Sequence, residues 1–184
     1  MSSQYNNMSG PHWHAQPLDD HHMIKINQEI HISPKALNII WGNDSRYWQW
    51  TPLQKNESEF PHGAELLQVN WIEVTGKLDF SHLKPNEKYE IVYVLKFKVD
   101  AFGWHSCPIK FKATTTDGHA TEISEILESY RKVSETWHEV PGGEFKVNST
   151  HEGAVHFGMY EIGSDWWKGS MILKEVKIRP KVRA

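Results

Sequence analysis

Trp41-Gly-Asn-Asp-Ser-Arg-Tyr-Trp48-Gln-Trp50 gathers three tryptophans and a tyrosine about the turn-forming run Gly42-Asn-Asp-Ser45. Asp165-Trp166-Trp167-Lys168 repeats the combination of rings and polar groups later in the chain. An indole offers a flat apolar face, and carboxylates and amides offer directional hydrogen bonds. A sugar ring is built to match, with C–H bonds on its faces and hydroxyls on its edges. Both segments therefore carry the material of a saccharide site. Glu161 joins them, because it shares strand parity with Val155, Phe157 and Met159. A carboxylate on an apolar face needs a hydrogen-bond partner or a strand end that reaches water. Trp104-His105, in a glycine-containing loop, is a further aromatic candidate. Each ring also has a packing role open to it. Trp41 follows Ile39 at a spacing of two, which fits the core as well as a site. Trp48 lies just past the turn, Trp50 is expected in the core, and one of Trp166 and Trp167 is expected to pack while the other is exposed.

Other chemistries find little support. There is no glycine-rich phosphate loop, no Gly-x-Ser-x-Gly and no His-Glu-x-x-His. Carboxylates are plentiful, so a hydrolytic pair is not excluded by counting, but nothing singles one out. The expectation is a noncatalytic protein with no cofactor and no metal. His12, His14, His21 and His22 could ligate a transition metal, or be incidental to a polar tail. One cysteine, Cys107, excludes an intrachain disulfide and fits a reducing compartment. The polar start MSSQYNNMSG lacks the apolar stretch of a secretory signal. No apolar run approaches the ~20 residues of a membrane-spanning helix, and no membrane partner is expected. A formal net charge of −3 argues against general attraction to nucleic acid. The basic end Lys174, Lys177, Arg179, Lys181, Arg183 reads as a solvated strand.

Behind these candidates lies a β-rich framework. The chain has 184 residues, enough for one domain with its own core. Residues 1–28 read as a flexible extension and 29–184 as the domain. Ile91, Tyr93, Leu95, Phe97 and Val99 alternate with polar neighbours, as do Ile109, Phe111 and Ala113. Residues 66–80 read as one long strand whose parity switches at a bulge near Trp71. Residues 120–132 carry apolar positions at helical spacing and are a short helix or an irregular loop. Strands follow at 137–140, 145–147, 155–162 and 171–178, with Pro141-Gly-Gly143 and Gly163-Ser-Asp165 as turns. This pattern predicts an all-β sandwich or barrel with at most one short helix.

The run from Ile39-Ile-Trp41 through Tyr47-Trp48-Gln-Trp50 resembles the phloem protein 2 family of plant lectins, which includes the Nictaba-type proteins. Val69-Asn-Trp71-Ile-Glu73, Tyr89 to Phe97, Trp137-His-Glu-Val, Gly143-Glu-Phe145, Tyr160-Glu161-Ile162 and Val176-Lys-Ile178-Arg179-Pro180 continue the match in order over residues 37–180. The resemblance is strongest to cucurbit phloem exudate lectins. It implies an antiparallel β-sandwich, jelly-roll-like, that binds N-acetylglucosamine oligomers (chito-oligosaccharides) or N-glycan cores without catalysis. It also implies a place in the cytoplasm or phloem sap, and a homodimer is expected because agglutination needs at least two sites. Carried over residue by residue, the family's two sugar-binding tryptophans fall on Trp41 and Trp48 and its later glutamate on Glu161. Its earlier glutamate falls near Ala154, with Glu152 as a substitute. Trp166, Trp167 and Trp104 are added as further ligand contacts. The alternative is an RNA-binding phloem transport protein, with aromatics on bases and Lys96, Lys98, Lys110 and Lys112 on phosphates.

Overall fold

Period-two alternation is realised as twelve strands among the described residues. The structure is a computed structural model and describes residues 10–182. In chain order the strands are β1 (Met23–Ile26), β2 (Glu29–Ile32), β3 (Asn38–Ile39), β4 (Trp48–Pro52), β5 (His62–Leu66) and β6 (Ile72–Asp79). There follow β7 (Lys88–Phe102), β8 (Ile109–Thr115), β9 (Ala120–Glu125), β10 (Trp137–Lys146), β11 (Ala154–Glu161) and β12 (Gly169–Pro180). A single helical turn, α1 (Glu128–Arg131), precedes β10.

Two antiparallel sheets stack face to face, giving the all-β sandwich. The five-stranded sheet runs β3-β6-β11-β8-β9. The seven-stranded sheet is centred on β12, which pairs with β7 along one side. On its other side β12 takes β5 at residues 171–173 and β2 at residues 176–178. β10 lies outside β7, β4 outside β5 and β1 outside β2. Ile91, Tyr93, Leu95 and Phe97 face Ile72, Val74, Phe111, Val155 and Met159 across the interior, all buried. Burying each such side chain contributes about 1.5–3 kcal/mol.

Four local readings change. Residues 66–80 are not one bulged strand. β5 ends at Leu66 and β6 begins at Ile72, in different sheets, so the parity switch marks a crossing of the sandwich. Pro141-Gly-Gly143 is a bulge inside β10 rather than a turn. Gly142 is required there because a Cβ would stand 2.1 Å from the Tyr93 ring. The helical spacing at 120–132 resolves into β9 and the one turn of α1, because β9 pairs with β8 from Ala120 to Glu125. The boundary expected at residue 28 falls in the β1–β2 hairpin, where Asn27 and Gln28 adopt positive φ. Residues 1–9 lie outside the described residues, but from Gly10 onward the segment is packed. Trp13 exchanges backbone hydrogen bonds with Ile39, and its Nε1 donates to Lys35 O at 3.0 Å.

Tyr93 is fully buried against Phe111, and its hydroxyl has no partner among the described residues. Burial pushes its phenol well above the ordinary range. An unmet buried donor costs about 1–3 kcal/mol. Tyr93→Phe is therefore expected to raise stability by up to about 1–2 kcal/mol, read as a higher urea midpoint at constant m-value. A loss of stability would show that the hydroxyl has an acceptor.

Candidate functional site

Four connections cross between the sheets at one end of the sandwich. They are residues 40–47, 67–71, 103–108 and 162–168. The register fixes this, since Glu161 stands opposite Ile72, Gly169 opposite Phe102 and Trp48 opposite Leu66. The two stretches chosen for their rings thus meet, although more than a hundred residues separate them in the chain.

Their rings form a row. Trp41 meets Tyr47 edge-on at 5.9 Å between centroids, and Tyr47 meets Trp167 at 6.3 Å with planes tilted by 35°. Trp41 sits in the left-handed region at φ +66°, an unusual conformation for a bulky residue. It is held there by its own N–H, which donates to His12 Nδ1 at 2.9 Å, and the His12 ring packs on the indole edge. Strain kept by surrounding contacts is a mark of functional positions. Arg46 lies over Tyr47 at 5.0 Å and forks onto Asp44, with Nε to Oδ1 at 3.0 Å and NH2 to Oδ2 at 2.7 Å. That fork lowers the Asp44 carboxyl to about 2, so Asp44 stays ionised through neutral and mildly acid solution.

The far side of the row is held from within. Lys168 is 0% exposed, and its Nζ donates to Glu161 Oε2 at 2.6 Å and to Trp166 O at 2.8 Å. Its backbone bridges Val69 in both directions. The ammonium therefore ties the end of β11 to the loop bearing Trp166 and Trp167. Those two indoles are 44% and 46% exposed. The neighbouring connection presses on this loop at Gly103, φ +83°, where a Cβ would lie 2.0 Å from Trp167 O. Gly103→Ala is expected to destabilise the protein by more than about 1 kcal/mol, read by urea unfolding. Wild-type stability would mean that the loops part freely.

Sequence comparison bears directly on this arrangement. The pattern of the family described as "Phloem protein 2" matches residues 27–180. The chain belongs to the phloem protein 2 family. An Arabidopsis thaliana relative, "Protein PHLOEM PROTEIN 2-LIKE A5", is 32% identical over 152 residues, covering 82% of this chain and 36% of that protein. A Luffa acutangula protein named "Lectin" is 29% identical over 148 residues, covering 80% of this chain and 68% of its own length. The chain spans 36%, 59% and 60% of three curated Arabidopsis thaliana phloem protein 2-like relatives. Among solved structures, the Podospora anserina GH26-CBM35 β-(1,4)-mannanase superposes with a TM-score of 0.50 at 7% identity, over 86% of this chain and 29% of that one. That likeness concerns the fold alone.

Within this phloem protein 2 chain the sequence candidates separate sharply. Trp41, Trp166 and Trp167 are partly exposed at the crossing end. Trp48 is 3% exposed, because the turn before it directs its ring into the sandwich opposite Leu66. Its ring face cannot meet a ligand, which corrects the reading of Trp48 as a stacking residue. Trp104 is corrected likewise: it is 1% exposed, packs edge-on against Phe97 and donates from Nε1 to Gly169 O at 2.9 Å. Glu161 is at the site but turned inward onto Lys168. Glu152 and Ala154 stand at the other end of β11, roughly 25 Å away at the rise of a strand, so no acidic pair forms here. Tyr47 and Lys168 entered the sequence reading only as members of their segments, and His12 only as a possible metal ligand. Lys168 had one signal, the need of Glu161 for a partner. For the support of Trp41 by His12 there was no signal, since its segment read as an appendage.

The four lysines of the RNA alternative fall on the outer faces of different sheets, Lys96 and Lys98 on β7, Lys110 and Lys112 on β8. Three face carboxylates: Lys96 with Glu57 at 4.0 Å, Lys98 with Glu65 at 3.7 Å and Lys110 with Glu122 at 3.8 Å. They make no single phosphate track. In the basic end, Lys177 and Arg179 meet Glu139, and Lys181 meets Glu144; Arg183 lies outside the described residues. No group of three potential metal ligands occurs among the described residues.

Proposed function

We propose that this phloem protein 2 chain is a noncatalytic lectin that binds N-acetylglucosamine oligomers, free or as N-glycan cores, at the crossing end of the sandwich. The observation that carries this is the row Trp41–Tyr47–Trp167, three rings held in sequence by contacts beneath them. An open row suits an oligomer laid along it better than a single sugar in a pocket. The name of the Luffa relative supports the same reading. Stacking is done by Trp41 and Trp167, with Trp166 beside them, and hydroxyls are met by Asp44, Arg46 and backbone groups of the loops. Glu161 acts by positioning the loop through Lys168. Asp44 is held ionised by Arg46, so it is not poised as a general acid.

The binding unit includes the segment from Gly10, since His12 supports Trp41. Affinity per site is expected on the order of µM to mM, with avidity from a homodimer. Cytoplasm or phloem sap is the proposed location. Calorimetric titration of the intact chain with chitotriose tests the reading. Saturable binding with little dependence on salt is expected, because stacking and neutral hydrogen bonds are weakly screened. A folded protein that gives no heat and no tryptophan fluorescence change would overturn it. Release of shorter sugars would make the protein a hydrolase instead.

A further inference from the structure

The outer face of the five-stranded sheet holds an aromatic platform that the end site does not use. Tyr160 projects outward from β11, and its ring lies across Gly158, two residues earlier. A Cβ at Gly158 would stand 2.7 Å from the Tyr160 hydroxyl and ring. Any other residue there would lift the ring, so Gly158 is what allows it to lie flat on the sheet. The ring is half-buried, and burial raises its phenol above the ordinary range, with the charge of Glu73 adding to the effect. On one side runs a depression of about 420 Å³ lined by Asn38, Thr75, Lys77, Thr114 and His156. On the other is one of about 290 Å³ reaching Lys110 and Ser164. Tyr160 and Lys112 line both.

Charge decides the ligand class. Lys112 is exposed, with its Nζ over the Tyr160 ring at 5.0 Å from the centroid, so this side chain swings aside onto the ligand's carboxylate when a sugar stacks there. No carboxylate pairs with it among the described residues: its cross-strand neighbour Glu122 turns to Lys110 instead. Lys77 has only a long contact to Asp79, 3.9 Å, with both side chains more than half exposed. The platform thus carries a ring face, the unpaired ammonium of Lys112, one carboxylate, Glu73, opposite Tyr160 on β6, and a border of hydroxyl, amide and imidazole groups. We propose that this face is a second saccharide site, selective for sugars that carry a carboxylate, with Tyr160 stacking on the ring and Lys112 pairing with the uronate. It uses a different ring from the end site and does not rest on it, although its smaller depression reaches Glu161 and Ser164 where the 162–168 connection begins.

Calorimetry of the intact protein with trigalacturonate tests this. Binding is expected, weakened by added salt and reduced at least about tenfold in Lys112→Gln and in Tyr160→Ala. Lys112 is exposed, so its variant reads the site even if Tyr160→Ala fails to fold. Trp167→Ala should leave trigalacturonate binding unchanged. No binding by the folded parent would overturn the proposal. So would full binding by Lys112→Gln, or loss of binding in Trp167→Ala, which would place the uronate at the end site.

Discussion

Lys168→Met will lose about 3–5 kcal/mol of stability and unfold at markedly lower urea, the usual cost of removing one partner of a buried ion pair. The change strands the Glu161 carboxylate in the interior and leaves Trp166 O without its donor. Glu161→Gln will be costly for the mirror reason, a buried ammonium without its counter-ion. The double change Lys168→Met with Glu161→Leu removes both charges and should recover most of the loss, since apolar pairs often replace buried ion pairs without penalty. Chitotriose binding will not return with it. The ammonium also bonds Trp166 O, and methionine cannot hold that carbonyl. The contrast separates a stabilising role from a positioning one. A Lys168→Met variant within about 1 kcal/mol of the parent would show that water reaches the pair, and the clamp would be wrong.

The second large effect divides the tryptophans into two classes. Trp167→Ala should lower chitotriose affinity by about 10–100-fold, the loss typical of truncating an aromatic anchor. Its stability should change little, because nearly half the ring already faces water. Trp48→Ala and Trp104→Ala should do the reverse, costing about 3–5 kcal/mol of stability. Whatever folded protein they leave should bind near the parent affinity. Urea unfolding beside calorimetry on the same samples reads both quantities. Parent-like binding by Trp167→Ala would remove the ring row from the site.

Alternation along β7 and β8 made the sandwich legible, because a strand buried on one face writes its burial in every second residue. The sites were legible only as materials. Trp41 and Trp48 stand seven apart, and the spacing after the turn favours Trp48, but the left-handed turn at Trp41 decides which ring meets solvent. No local pattern encodes that choice, since the turn is held by His12 from a segment that pairs 29 residues away. The parity switch at 66–72 was visible but ambiguous, because a bulge and a change of sheet leave the same trace. Glu161 showed the opposite case. Its need for a partner was readable, and the partner proved to be a lysine seven residues on rather than a ligand.

The two ends of the described chain leave the sandwich in opposite directions. Gly10 O accepts from Asn43 Nδ2, which places it beside the turn that carries Trp41. β12 starts at the crossing end and finishes at the other, where Lys181 N donates to Lys88 O. A molecule immobilised at Lys181 would therefore present the ring row outward. The same molecule tethered at Gly10 would bring the support against it. On a sensor chip the choice of attachment point alone should decide whether the site is open or masked.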